Sequence, residues 1–165
     1  MQKKLISLFA IVFLMTAILS TASAQQKRMP EPKVGLSASF TGNSAIAVPV
    51  WVSQGISLVP MISFMKTDQV SSTLAPGVAV HVHTQKGRIR PYFGGQFMAL
   101  VYSPNNGNST TTMSVGGLFG ADYYLHPMFA IGIESQLSAT LENKDAYQPL
   151  QLSTFTVVKA TVYIK

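Results

Sequence analysis

Three long runs between residues 89 and 141, separated by two turn signals, alternate apolar with polar or small side chains. In the first, Ile89, Pro91, Phe93, Gly95, Phe97, Ala99 and Val101 share one face, and Arg90, Tyr92, Gly94, Gln96 and Met98 the other. In the third, Phe129, Ile131, Ile133, Leu137, Ala139 and Leu141 alternate with Ala130, Gly132, Glu134, Gln136, Ser138 and Thr140. Successive side chains of a strand point to opposite faces, so a period of two predicts β-structure. Two environments suit such strands: a sheet with one wet face, or a membrane barrel with lipid outside and a polar lumen.

The beginning of the chain bears on the compartment. Residues 1–24 carry Lys3 and Lys4, then an apolar run to Leu19, then Ser20, Thr21, Ala22, Ser23 and Ala24. A basic head, an apolar middle and an A-x-A end predict a secretory signal peptide cleaved before Gln25. The apolar run is too short for a membrane anchor. Position 25 is Gln and the chain has no Cys, which excludes a cysteine-linked lipid anchor, disulfides and thiolate metal sites.

Composition separates the two environments. The chain is 47% hydrophobic and only 11% charged, whereas a soluble surface wants roughly a quarter of its residues charged. No window after residue 24 has the continuous apolar length of a membrane helix. Strands in lipid satisfy both facts. Residues 25–165 amount to one domain, a polar, Pro-containing periplasmic leader over 25–33 followed by a barrel over 34–165. Two of the 12 Lys and Arg leave with the signal, so 10 remain against 6 Asp and Glu. That small, unclustered excess gives no support to nucleic-acid binding.

Along the chain, strands are predicted over residues 34–41, 46–52, 56–65, 74–83, 89–101, 112–124, 129–141 and 157–164. The first two are short, and Pro49, which cannot donate to a ladder, predicts a local bulge. Eight strands close into an all-β, antiparallel, up-and-down transmembrane β-barrel. Connections after the second, fourth and sixth strands are short. Those after the third, fifth and seventh, over residues 66–72, 103–110 and 142–152, are longer and more polar. This is the pattern of short periplasmic turns and outer loops, with both termini periplasmic. Tyr92, Tyr102, Tyr123, Tyr124, Phe129 and Tyr163 fall near strand ends, as an aromatic girdle requires, although some point inward by parity.

The blocks Arg90-Pro91-Tyr92-Phe93-Gly94-Gly95, Gly116-Gly117-Leu118-Phe119-Gly120-Ala121-Asp122-Tyr123-Tyr124 and Phe129-Ala130-Ile131-Gly132-Ile133-Glu134 resemble the small outer-membrane β-barrels of the OmpA/OmpX type. The resemblance covers residues 34–165. It implies a fold, a porin-like architecture and a place in the outer membrane of a Gram-negative-type bacterium, not an activity. Such barrels usually end on an outward aromatic residue; here Ile164 is the last outward residue and Lys165 follows.

Parity also places charge inside. Counted from a turn centred near Asn106, Arg90 and Asp122 are equidistant and fall side by side. Counted across Lys86-Gly87, His83 falls level with Arg90. Around the last loop Glu134 and Lys159 are nearly equidistant and are expected to pair near mid-barrel. Charges at membrane depth are tolerated when they face the interior and pair, and an eight-strand lumen is about wide enough for side chains to fill it. Resembling barrels have lumenal salt bridges, which implies a plug or a gate formed by Arg90, Asp122, Glu134, Lys159 and His83. His81 and His83, two apart on one face, have no visible third metal ligand. The Gly pairs are packing positions, since no helix follows to make a phosphate loop.

These readings leave several functions in competition. The favoured one is a small integral barrel in outer-membrane lipid with a structural or interaction role, its loops displayed to envelope or extracellular protein partners. A narrow gated pore uses the same inward charges. A lipid-modifying barrel enzyme needs a nucleophile and base that no segment assembles, so no catalytic residue, cofactor or metal is assigned. A soluble lipocalin-like barrel predicts the reverse polarity, apolar inside and polar outside.

Overall fold

The computed structural model describes residues 33–40, 44–67, 70–105, 107–143 and 149–164. The predicted signal peptide and all of the leader except Lys33 lie outside the described residues. Nine strand segments follow one another: β1 (Val34–Ser39), β2 (Ala45–Ala47), β3 (Val50–Ser53), β4 (Ile56–Thr67), β5 (Ser71–His83), β6 (Ile89–Pro104), β7 (Thr110–His126), β8 (Phe129–Thr140) and β9 (Gln151–Ile164). Every pairing is antiparallel, and β1 pairs with β9 from Val34↔Ile164 to Ser39↔Lys159, so the sheet closes on itself. No helix among the described residues is long and apolar enough to cross a membrane.

β2 and β3 are two halves of one barrel strand. Ser37↔Ala47 and Val34↔Val50 keep the same offset against β1, and both halves pair with β4. The result is a closed eight-strand barrel. Pro49 breaks the ladder without shifting it: its carbonyl accepts from the Gly35 N–H at 2.8 Å, and the Val48 N–H donates to Pro60 at 2.9 Å. The irregular register falls instead between Trp51 and Ser53, just before a tight turn in which Gly55 has φ 89°, a conformation that glycine adopts without a Cβ clash.

Other boundaries also move. β4 runs to Thr67 and β5 starts at Ser71, so the connection predicted over residues 66–72 is mostly strand. β9 starts at Gln151, six residues before its predicted beginning. Polar side chains such as Ser71, Ser72 and Thr154 hide strand from a reading based on apolar alternation, yet at the rim of a barrel they pair like any others.

The registers fix how far the barrel is staggered. Ser37 is level with Ala47, Ala47 with Met61, Met61 with Gly77, Gly77 with Met98, Met98 with Ser114, Ser114 with Thr140, and Thr140 with Gln151. Ser37's own partner on β9 is Thr161, ten residues further along the strand. That stagger tilts the strands and, for eight of them, leaves an interior that side chains can fill.

Polarity is inverted relative to a soluble protein. Leu36, Phe119 and Ile164 are 58%, 67% and 64% exposed on the outside, while Arg90, Asp122 and Glu134 are 1%, 3% and 5% exposed within. Two small apolar clusters, one of Val59, Ala79, Tyr92 and Leu118, the other of Tyr124, Ala130 and Tyr163, fill the gaps between inward polar groups.

Candidate lumenal charge network

Strand parity brings the inward polar side chains together, and glycines let them touch. On β7 and β8 one arrangement recurs in three rows, each crossing three neighbouring strands. Asp122 is level with Gly132, and Gly132 with Lys159. Tyr92 is level with Gly120, and Gly120 with Glu134. Gln96 is level with Gly116, and Gly116 with Ser138. In each row the flanking side chains meet over the central glycine. The Lys159 ammonium lies 3.4 Å from Asp122 Oδ1, the Tyr92 hydroxyl donates to Glu134 Oε2 at 2.7 Å, and Gln96 Nε2 donates to Ser138 Oγ at 3.0 Å. A Cβ on Gly132 would overlap the Asp122 carboxylate and crowd the Lys159 stem, and one on Gly120 would overlap the Tyr92 hydroxyl.

The rows join into one network. Lys159 Nζ is also 3.4 Å from Glu134 Oε2 and sits over the Tyr92 ring, 4.5 Å from its centroid. Gln136 donates to Glu134 Oε1, and its own carbonyl oxygen accepts from Gln96 at 3.0 Å. His81 Nε2 lies 3.6 Å from Glu134 Oε2, and its ring stacks on Tyr92 at 4.5 Å. Glu134 is thus the hub. Its two oxygens receive donors from β6, β8 and β9, as a buried carboxylate requires to offset desolvation.

Arg90 forms the layer nearer the short turns. The register sets it opposite Asp122. Its guanidinium lies over the Tyr124 ring at 4.4 Å and 5.5 Å from that of Trp51, and its Nε donates to the Gly87 carbonyl at 3.2 Å. Tyr124 stacks on Tyr163 at 5.6 Å. Cation–π contact with large desolvated rings stabilises a guanidinium where water is scarce.

His83 is not level with Arg90. Its partner is Tyr92, because the β5–β6 turn is centred one residue later than Lys86-Gly87. A contact of His83 Nε2 with Ser57 Oγ at 3.2 Å and stacking on Trp51 at 4.3 Å hold it against the neighbouring strands β4 and β3. The His81 and His83 rings are 6.1 Å apart, and no group of three His, Cys, Asp or Glu able to hold a metal occurs among the described residues.

No family model and no curated protein matches the chain. Among solved structures, Neisserial surface protein A is similar over 79% of this chain and 93% of its own, with a TM-score of 0.59 and 11% identity. The N-terminal β-barrel domain of OprF from Pseudomonas aeruginosa is similar over 85% of this chain and all of its own, with a TM-score of 0.50 and 10% identity. At such identities the likeness is one of fold. The fold is that of the small outer-membrane β-barrels of the OmpA/OmpX type.

Within that fold, the side chains that sequence reading left out of the network are Tyr92, Gln96, Gln136 and His81. Tyr92, Tyr124 and Tyr163, grouped by sequence with an aromatic girdle, are buried in the lumen; Tyr123 is exposed outside, and Tyr102, on the inward face of β6 by parity, is exposed towards the end of its strand. The signal was available: an inward glycine with a large polar residue level with it on either side marks a contact across three strands. Reading it needs the registers, not only the parity.

Proposed function

We propose that the chain is a small integral outer-membrane β-barrel protein with a structural or interaction role. Its lumen is plugged by Arg90, Asp122, Glu134 and Lys159 with His83, Tyr92 and the two Gln side chains. Its outer connections, around residues 105–109 and 141–150, face protein partners at the envelope surface. The observation that carries this reading is the inverted polarity, with large apolar side chains outside and a paired, hydrogen-bonded charge cluster inside. A soluble ligand-binding barrel requires the opposite. No catalytic step is assigned.

One observation favours a second reading, a narrow gated pore. Lys159 lies at the same distance from two carboxylates, so its ammonium can swing between them without losing a charge partner. Membranes washed in carbonate and run on a detergent gel test the first reading. A retained band whose mobility changes on boiling supports an integral barrel, and release into the wash sinks it. Planar-bilayer recording then separates the two. A plug gives no conductance at moderate voltage in the parent protein, whereas a gate gives discrete openings that change when Glu134→Gln is introduced.

A further inference from the structure

The two rims of the barrel carry different charge. At the end of the short turns Lys33 directly precedes β1, and Lys86 and Arg88 lie in the turn between β5 and β6. Lys33 and Arg88 are exposed and Lys86 is half-buried. Among the described residues this end has no exposed Asp or Glu. At the other rim Lys66 and Glu142 are both exposed and balance each other. Residues 25–32, which lie outside the described residues, add Lys27 and Arg28 against Glu31. The positive excess near the short turns therefore does not depend on how any one of these side chains is paired.

Three hydrogen bonds place these cations along the rim from β1 to β6. The Trp51 N–H donates to the Lys33 carbonyl at 2.9 Å, which sets Lys33 beside β3. Lys86 Nζ donates to Gln54 Oε1 at 2.8 Å, which ties the β5–β6 turn to the β3–β4 turn. The Tyr124 N–H donates to the Arg88 carbonyl at 2.8 Å, which fixes Arg88 at the edge of β6. Depth follows from the next residues. Val34 and Ile89 point outward and are 37% and 44% exposed, so they belong to the apolar band. One residue is roughly 3 Å of strand, and long basic side chains at the edge of such a band extend into the headgroup layer. Lys33 and Arg88 therefore stand at the depth of the lipid phosphates, with Lys86 just beyond them.

We propose that the rim from β1 to β6 is a binding site for the head of an anionic glycerophospholipid of the periplasmic leaflet, such as phosphatidylglycerol. The phosphate is drawn to Lys33, Lys86 and Arg88, and the acyl chains lie against Val34 and Ile89. A zwitterionic head brings its own ammonium, which these cations repel, so the site discriminates by charge. The outer rim, where Lys66 and Glu142 balance, makes no such selection. The site rests on the membrane reading above, and its test keeps the two apart.

Trp51, the sole tryptophan, is replaced by Phe, and one tryptophan is introduced on the lipid face as Val34→Trp, Ile89→Trp or, away from the cations, Leu137→Trp, where the native side chain is 56% exposed. Trp51→Tyr serves instead should Trp51→Phe fail the heat-shift test of folding. Each protein is folded into vesicles of phosphatidylcholine and phosphatidylglycerol with brominated acyl chains on one lipid or the other, and the ratio of quenching gives the relative affinity at each position. One cation near a surface favours an anionic lipid about five-fold. Phosphatidylglycerol is expected to be preferred about five-fold beside positions 34 and 89 and not at all beside 137, and about 0.5 M salt is expected to remove the preference. Lys86→Gln with Arg88→Gln is expected to abolish it at position 89, and Lys33→Gln to reduce it at position 34. Equal quenching by the two brominated lipids at positions 34 and 89, or a preference at 89 that survives the Gln pair, overturns the site and leaves the membrane barrel intact. Absence of quenching by either lipid at all three positions overturns the membrane reading itself.

Discussion

Replacing Lys159 by Met keeps the stem of the side chain and removes the ammonium that lies 3.4 Å from both Asp122 and Glu134. The side chains of the two carboxylates are 4% and 6% exposed, so water does little to screen them. Breaking a buried pair costs about 3–5 kcal/mol because the remaining charge is left uncompensated. Arg90 stands opposite Asp122 and the Tyr92 hydroxyl still donates to Glu134, which places Lys159→Met at about 3 kcal/mol, the low end of that range. With a urea dependence of about 2 kcal/mol per molar, the midpoint falls by about 1.5 M. Trp51 is the sole tryptophan of the chain, and its fluorescence follows unfolding of barrels folded into vesicles. Adding Glu134→Gln to Lys159→Met leaves one carboxylate, Asp122, with the Arg90 charge beside it, and is expected to restore stability to within about 1 kcal/mol of the parent. Adding Asp122→Asn instead leaves Arg90 and Glu134 each without its nearest opposite charge and recovers less. A midpoint that drops by less than about 0.3 M in Lys159→Met, or a Lys159→Met/Glu134→Gln variant no better than the single one, refutes the buried triad as described.

Three further outcomes follow from the same geometry. Gly132→Ala puts a methyl into the Asp122–Lys159 contact and is expected to cost about 2 kcal/mol in the same urea assay, while Gly117→Ala, where an added Cβ meets nothing, leaves the midpoint unchanged. Tyr92→Phe removes a charged hydrogen bond of 2.7 Å, an expected loss of about 1.5–3 kcal/mol, with the ring stacking on His81 kept. Phe119→Arg places a charge on the lipid face near mid-barrel and is expected to destabilise by about 2–4 kcal/mol in vesicles; a neutral result there argues against lipid as the surroundings of that face.

Parity alone assigned inside and outside for most of the chain, because a strand has only two faces and the apolar set fills one of them. Contacts within one hairpin were legible as far as the turn centre was. The register of β6 against β7 is centred on position 106, as counted from the sequence, and Arg90 is level with Asp122. The turn after His83 is centred one residue further along, and a shift of one in the centre moves the partner by two residues, from Arg90 to Tyr92. Pro49 was legible as a fault in the ladder, but its neighbours keep register on both sides and the shift falls at Trp51–Ser53.

The sequence by itself determined a β-structure of eight barrel strands with apolar side chains outward and Arg90, Asp122, Glu134 and Lys159 inward, since alternation needs no knowledge of what a strand pairs with. Tertiary structure alone decided that Lys159 bridges Asp122 and Glu134 and that Tyr92 reaches Glu134 across β7. Those facts depend on the ten-residue stagger and on glycines falling level with larger neighbours. Both are properties of the closed sheet that no single strand carries.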